Sequence, residues 1–226
     1  MHGVVLGNEV LDAMPVQLLQ RTDDIWHERG VVTGQDGGFA WQDRPLADAS
    51  LAAAVLAHHL PDDYLTEVQP AAQAFVRSLA GCMRQGVLLL VDYGFPAAEY
   101  YHPQRHMGTL IGHYRHHSVH DPFFHIGLTD LTAHVNFTDI AQAGTNAGLD
   151  LIGYATQAHF LLNLGITDIM AHHADPASAD YIRSAAAIHK LTGQHEMGEL
   201  FKVIAFGRNI GIDWQGFSHG DICHKL

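Results

Sequence analysis

Two acids, Glu9 and Asp12, lie just beyond a short apolar run, in Gly7-Asn8-Glu9-Val10-Leu11-Asp12-Ala13-Met14-Pro15. Carboxylates three apart can share one helix face or one loop. There they can orient a cationic group or take up a proton. The same spacing serves equally well for capping acids at a strand-to-helix turn. A second polar cluster, Asp92-Tyr93-Gly94, closes the apolar run Val87-Leu88-Leu89-Leu90-Val91. It reads either as a ligand loop at a strand's carboxyl end or as a tight turn that needs glycine. A third, Asp130-Leu131-Thr132-Ala133-His134-Val135-Asn136-Phe137, alternates like a strand and puts His134 on one face with Thr132 and Asn136. A half-buried histidine there is either a proton-transfer group or a hydrogen-bonded structural one.

Histidine is the compositional outlier, at 19 of 226 residues. His113 and His117 stand four apart, a spacing that chelates a metal on a helix. Gly108, Gly112 and the alternation over 109–114 argue against a helix, and no thiol or glutamate sits at a standard ligand offset, so no metal is expected. Acids outnumber Lys and Arg 24 to 12, a net charge of −12. That excludes the clustered positive surface that nucleic acid demands. Half-protonated histidines would add roughly +9, so solubility should dip at about pH 5.5–6.5. The longest strong apolar run is strand-sized, far short of the ~20 residues that span a bilayer. The first residues lack the basic start of a signal peptide. Two cysteines, Cys82 and Cys223, are too few for a disulfide framework, which points to a reducing compartment. No phosphate-binding Gly-Lys-Ser/Thr loop, His-Glu-x-x-His or dinucleotide fingerprint is present.

The length fits one domain, or one and a small appendage. A buried strand is expected at 4–6. Near-helical spacing follows over 9–19, interrupted by Pro15. A β-hairpin spans 25–42 around Gln35-Asp36-Gly37-Gly38. Helices are expected at 46–59 and at 70–85. In the second, Pro70 suits the first turn, Ala72, Phe75, Val76, Leu79 and Met83 form the apolar stripe, and Gly86 is the stop. A fully buried strand at 87–91 follows, then a strand at 109–114. Next come a helix at 138–147 capped by Thr138, a strand at 149–155, helices at 157–173 and 176–191, and a strand at 200–206. A polar, glycine-rich tail ends the chain. Helices feeding buried strands that end in polar loops are the α/β pattern, whose sites lie at the carboxyl ends of strands.

In their order and spacing these segments resemble one family. Its motifs are matched by the stretch from Gly7 to Val16, by Asp92-Tyr93-Gly94, Gly108-Thr109-Leu110 and Tyr114-Arg115-His116-His117, by the stretch from Asp130 to Phe137, and by Met197-Gly198-Glu199-Leu200-Phe201-Lys202-Val203. This is the MidA-like family of S-adenosylmethionine-dependent methyltransferases, which includes a mitochondrial complex I assembly factor that methylates an arginine. The resemblance runs to about residue 206. It implies an α/β fold, the Rossmann-like class I methyltransferase sheet with a hairpin insertion.

The family's N-terminal half carries a Glu-x-Gly-x-Gly-x-Gly-type cofactor loop, and no such loop occurs in these 226 residues. The resemblance therefore implies an N-terminally incomplete sheet that begins at the family's fourth strand, from a fragment or a misplaced gene start. The order would be 4-5-7-6, with strand four an exposed edge. Residues 1–207 would form the later part of the domain, with a substrate-side region at 95–137 and a tail at 208–226. The implied cofactor is S-adenosyl-L-methionine, held by Gly7, Asn8 and Glu9. The implied catalytic residues are Glu9, Asp12 and His134, and the implied substrate contacts are Tyr93, Tyr114, Arg115, His117 and Asp130. The implied partner is a protein arginine, in a respiratory complex I subunit, with a homodimer formed through the open edge. The location would be the cytoplasm of a bacterium or the mitochondrion of a eukaryote. Without the cofactor half the chain would be inactive, and the alternative reading is a non-catalytic assembly scaffold.

Overall fold

The first strand, β1 (His2–Asn8), pairs in parallel with one neighbour only among the described residues. Its outward side chains stand in the open, with Val4 73% and Leu6 69% exposed. The buried strand expected at 4–6 is thus an edge strand, because an apolar run cannot by itself say whether both its faces are covered. The computed structural model describes residues 1–173, 175 and 177–226.

Residues 9–16 are a loop, not the interrupted helix that the spacing suggested. Leu18 and Leu19 belong to β2 (Gln17–Thr22). Next come β3 (Ile25–Thr33) and β4 (Phe39–Pro45), a hairpin around residues 34–38, then α1 (Ala49–Leu56) and β5 (Tyr64–Val68). These strands make a four-stranded sheet in the order β4-β3-β2-β5. Asp48 caps α1 through its carboxylate.

Helix α2 (Pro70–Cys82) stops before Gly86, which lies instead in β6 (Gln85–Phe95). A Cβ at Gly86 would meet the Gly3 carbonyl oxygen at 1.9 Å, so the glycine permits β1 to pair there rather than ending the helix. Strand β6 also runs on through Asp92-Tyr93-Gly94, where a turn was one of the readings.

After α3 (Ala97–Tyr100), a three-stranded sheet is built from β7 (Ile111–Tyr114), β8 (His117–Val119) and β9 (Asp130–Thr132), in the order β8-β7-β9. The single strand expected around His134 is two short ones, β9 and β10 (Val135–Asn136), with Ala133 and His134 between them. Helix α4 (Phe137–Asn146) is capped by the Asn136 side chain, not by Thr138.

Strand β11 (Asp150–Thr156) leads into α5 (Gln157–Asn163) and α6 (Ile166–His173), which a left-handed Gly165 separates where one helix was expected. The start expected at residue 176 lies outside the described residues. Helix α7 (Ala179–Thr192) is capped by Ser178, and α8 (Met197–Leu200) precedes β12 (Phe201–Arg208).

The main sheet has the order β1-β6-β12-β11, with β1 parallel to β6 and β12 antiparallel to both of its neighbours. Its central strands are covered on both faces. Leu88, Leu90, Ile204 and Phe206 pack with α2 and α4, while Leu89, Val91, Val203 and Ala205 pack with Phe160 and Phe217. Two-sided burial is why β6 and β12 read as continuous apolar runs. The polar tail folds back, with the Ile222 N–H donating to the Tyr154 carbonyl at 2.7 Å.

Candidate active site

The loop after β1 is shaped by an acid on the neighbouring strand. Asp92 Oδ2 accepts the backbone N–H groups of Val10, Leu11 and Asp12 at 3.1, 2.9 and 3.3 Å, and Oδ1 accepts the Tyr93 N–H at 3.0 Å. Those donors would otherwise be orphaned, as at an uncapped helix start. Glu9, at φ 50°, donates its N–H to the Val91 carbonyl and ends the parallel pairing.

The result turns Asp12 inward, 4% exposed. Its Oδ2 accepts the Tyr93 hydroxyl at 2.7 Å, whereas Oδ1 is buried with no hydrogen-bond partner. Burial, and then the charge of Asp12, pushes the Asp92 carboxyl up to about 7. Burial raises the Tyr93 phenol as well, so it remains a donor.

His134 is held by its backbone. Its N–H donates to Thr109 Oγ1 at 3.0 Å, and its carbonyl accepts Gln69 Nε2 at 3.0 Å. Gln69 Oε1 in turn accepts the Asn136 N–H at 3.0 Å. Thr109 is fixed by the buried Glu67, which accepts the Thr109 N–H, the Thr109 hydroxyl, the Leu110 N–H and the Tyr100 hydroxyl at 2.8–3.2 Å. Burial pushes the Glu67 carboxyl up, against those four donors.

Gly94 lets this segment approach β6, since a Cβ there would lie 2.0 Å from the Val135 carbonyl oxygen. The His134 ring stands edge-on to Tyr93 at 5.2 Å and 5.3 Å from Phe95. Burial, then the positive charges of Arg105 and Lys202, hold the imidazole down at about 4. It is therefore neutral at pH 7, and its Nδ1 has no partner.

Asp12, Tyr93 and His134 thus converge, from three separate stretches of sequence. Asn8 and Glu9 lie exposed at the carboxyl end of β1, with Asn8 Nδ2 donating to Glu9 Oε1 at 3.1 Å. Gly7 backs onto Leu90, where a Cβ would come within 2.8 Å. The remaining predicted residues make their contacts within the small sheet. Tyr114 packs on Phe124 and His125, and Arg115, in the left-handed turn of the β7–β8 hairpin, lies over the Tyr114 ring. His117 and Asp130 are exposed on β8 and β9. His113 faces Ser118 and His117 faces Tyr114 across that hairpin, so the helical chelate does not form. Among the described residues, no group of three or more His, Cys, Asp or Glu could hold a metal, and no helix is long and apolar enough to cross a membrane.

Glu67, Gln69, Phe95 and Arg105 are site-building residues that the sequence reading did not single out, and Asp92 stood there only within the Asp92-Tyr93-Gly94 cluster. Glu67, near the end of β5, and Gln69, directly before Pro70 at the start of α2, carried a readable signal: two long polar side chains two residues apart beside apolar Leu65 and Val68.

Two adjoining clefts open beside these groups. One, of about 390 Å³, is bordered by Asp12, Met14 and Thr132. The other, of about 470 Å³, is bordered by His134, Thr109 and Arg105. They share Leu18, Arg29, Trp41 and Leu110 as a common wall.

Comparison with known proteins adds the family context. Residues 1–155 match the model of a family described as putative S-adenosyl-L-methionine-dependent methyltransferase. The chain is similar to the mitochondrial protein arginine methyltransferase NDUFAF7 of Xenopus tropicalis, at 31% identity over 87% of this chain and 45% of that protein. The human NDUFAF7 is 27% identical over 90% of this chain and 45% of its own length. The chain thus spans about half the length of the curated relatives it matches. A COG1565 superfamily member from Burkholderia thailandensis, solved with S-adenosyl-homocysteine bound, superposes with a TM-score of 0.97 at 49% identity. That match covers all of this chain and 58% of the other.

Proposed function

The chain belongs to the family of S-adenosyl-L-methionine-dependent methyltransferases that its first 155 residues match, and from that premise we propose that it provides the substrate-side half of an enzyme that methylates a protein arginine. The main sheet is read as the later strands, 4-5-7-6, of a Rossmann-like class I methyltransferase, completed by a preceding cofactor half. The observation that carries the arginine reading is Asp12: a buried carboxylate at a cleft wall, anchored through one oxygen and unpartnered at the other. A buried acceptor of that kind is costly unless something donates to it. A guanidinium, always charged and rich in donors, fits.

The exposed Asn8 amide and Glu9 carboxylate, at the carboxyl end of a parallel strand, fit the polar end of the cofactor, where open α/β sheets hold ligands. When bound, S-adenosylmethionine supplies an electrophilic methyl group on sulfonium. The work of this chain is to bind and orient the nucleophile. Glu9 and Asp12 pair with the guanidinium and hold one nitrogen in place, Asp12 Oδ1 receives its proton, and Tyr93 keeps Asp12 from swinging away. The neutral His134, edge-on to Tyr93, helps to close the site.

The relatives that carry the name arginine methyltransferase are mitochondrial proteins. For this chain the reading extends to a respiratory complex I subunit as substrate, in the cytoplasm of a bacterium or the mitochondrion of a eukaryote, with a homodimer through the β1 edge. The exposed Val4 and Leu6 on that edge favour a second reading, in which the chain acts as an assembly scaffold.

The test fuses the N-terminal part of the Burkholderia protein ahead of this chain and follows labelled methyl transfer to arginine peptides. Transfer that is abolished by Asp12→Asn, with cofactor affinity retained, supports the proposal. Transfer to lysine or to small molecules, with none to arginine, overturns it.

A further inference from the structure

A line of contacts runs through the site from a carboxylate to a guanidinium. Asp12 is bonded to Tyr93, Tyr93 meets His134, His134 meets Phe95, and the Arg105 guanidinium lies over the Phe95 ring, 4.0 Å from its centroid. Arg105 lies within the segment that Glu67 pins through Thr109 and Leu110, and it borders the cleft that His134 also borders.

Apart from Asp12, the other charged side chains lining the two clefts are paired. Arg29 is bidentate to Asp43 at 2.8 and 2.7 Å, and Glu28 is paired with Arg44; Lys202, which lines neither cleft, donates its ammonium to the Glu199 and Leu200 carbonyls. Arg105 uses only Nε, on the Glu99 carbonyl at 3.3 Å, and forms no ion pair among the described residues. Its two terminal nitrogens make no hydrogen bond among the described residues. Stacking on Phe95 fixes the plane of the fork, which lowers the entropy cost of a bidentate contact.

A site for a cationic target thus has a cation of its own at the far end of the groove, in a protein whose net charge of −12 disfavours acidic chains elsewhere on its surface. Resting on the protein-arginine reading above, we propose that Arg105 is a specificity residue: it receives the carboxylate of an Asp or Glu that flanks the target arginine in the substrate chain. The two ends of the groove then read opposite charges on one extended segment. The Trp41 and Leu110 wall between them takes the intervening residues. Electrostatic complementarity of this kind sets register and selects partners more than it adds raw affinity.

The test is binding of fluorescein-labelled peptides to the 226-residue chain, with no cofactor present. Each peptide carries one arginine and a single Glu moved through four positions on either side. Control peptides have Gln in place of Glu, or Lys in place of the arginine. One Glu position is expected to tighten binding about three- to tenfold over its Gln partner. Arg105→Gln should abolish that preference and Arg105→Lys keep part of it, while Arg105→Glu should favour a Lys flank instead, all at unchanged melting temperature. Arginine-dependent binding with no preferred Glu position, or a preference that survives Arg105→Gln, overturns the role of Arg105 and leaves the arginine reading standing. Binding indifferent to replacement of the arginine overturns both.

Discussion

The Tyr93 hydroxyl donates to Asp12 Oδ2 at 2.7 Å, tying the central strand to the loop that follows the edge strand. With Oδ2 engaged, only Oδ1 is free to meet a ligand. Tyr93→Phe removes the tether and leaves the ring packed on His134 and Phe201. In the fused enzyme, arginine methylation should fall about 10–100-fold, against about 10²–10⁴-fold for Asp12→Asn. Chemical denaturation should show a loss of only about 1 kcal/mol for Tyr93→Phe. Equal activities for Tyr93→Phe and the parent would remove Asp12 anchoring from the mechanism.

Glu9 makes a different case, because it is exposed and its side chain hydrogen-bonds only to Asn8 among the described residues. Glu9→Gln should cost less than about 0.5 kcal/mol in stability. If the carboxylate pairs with the guanidinium, single-turnover methylation by the fused enzyme should slow about 10²–10⁴-fold, roughly 3–5.5 kcal/mol in the barrier. Near-normal turnover would make Glu9 a turn residue and leave the work to Asp12.

Stability should depend on pH through two groups with opposite signs. Asp92 is raised from 3.8 to about 7, so the native state keeps a proton that the unfolded chain releases. Its contribution is greatest below pH 4 and is lost as pH rises towards 7. His134 is lowered from 6.5 to about 4, so the native state refuses a proton that the unfolded chain accepts. Its contribution is full above pH 6.5 and is lost as pH falls towards 4. The two windows nearly coincide and the two slopes oppose each other. In thermal melts between about pH 4 and 7, the stability of Asp92→Asn should therefore rise more steeply with pH than the parent's, and that of His134→Phe should fall more steeply. Parallel curves for either variant and the parent would contradict the assignment of that group.

Arg208 offers a purely structural control. Its guanidinium donates to the Ala80 and Met83 carbonyls at 2.8 and 3.0 Å and to the Ala147 carbonyl at 2.6 Å, closing the ends of α2 and α4 together. The Ala80 carbonyl also accepts the Met83 N–H at 3.2 Å, and all three carbonyls lie at the negative end of a helix dipole. Arg208→Ala should destabilise by about 2–4 kcal/mol in urea titration, with arginine-peptide affinity unchanged. A melting temperature equal to that of the parent would show that water serves those carbonyls as well.

Cofactor affinity separates this chain from its fused form. The glycine-rich loop expected by resemblance does not occur in the sequence, and each hydrogen bond it would supply is worth about 1–1.5 kcal/mol. Residues 1–226 alone should bind S-adenosyl-homocysteine no tighter than about 10 μM, near −7 kcal/mol, by calorimetry. The fusion should bind at least tenfold more tightly. A dissociation constant well below 10 μM for the chain alone would mean that Gly7, Asn8 and Glu9 hold the cofactor without help.

The local code of the chain fixed several elements before any tertiary contact was known. Pro70 followed by a 3.6-residue apolar stripe starts an amphipathic helix, and α2 begins there, although it ends at Cys82 and not at 85. The apolar runs at 87–91 and 200–206 are of strand length and lie in β6 and β12, the first of them read as fully buried from its pattern. The turn Gln35-Asp36-Gly37-Gly38 likewise specifies a hairpin.

What the sequence left open is what depends on partners distant in the chain. Residues 9–19 carry near-helical spacing, yet the Asp92 carboxylate, some 80 residues away, takes up the loop's N–H groups and turns Asp12 inward. By pattern alone Val4 and Leu6 look like core, although the family resemblance implied an exposed edge there, and pairing with β6 alone among the described residues makes β1 an edge. Glu67 and Gln69 matter only because folding brings Thr109 and His134 to them, and Arg105 only because Phe95 lies beneath its guanidinium. Propensity acts over a few residues, whereas the placement of a buried charge is settled by whatever long-range donors reach it first.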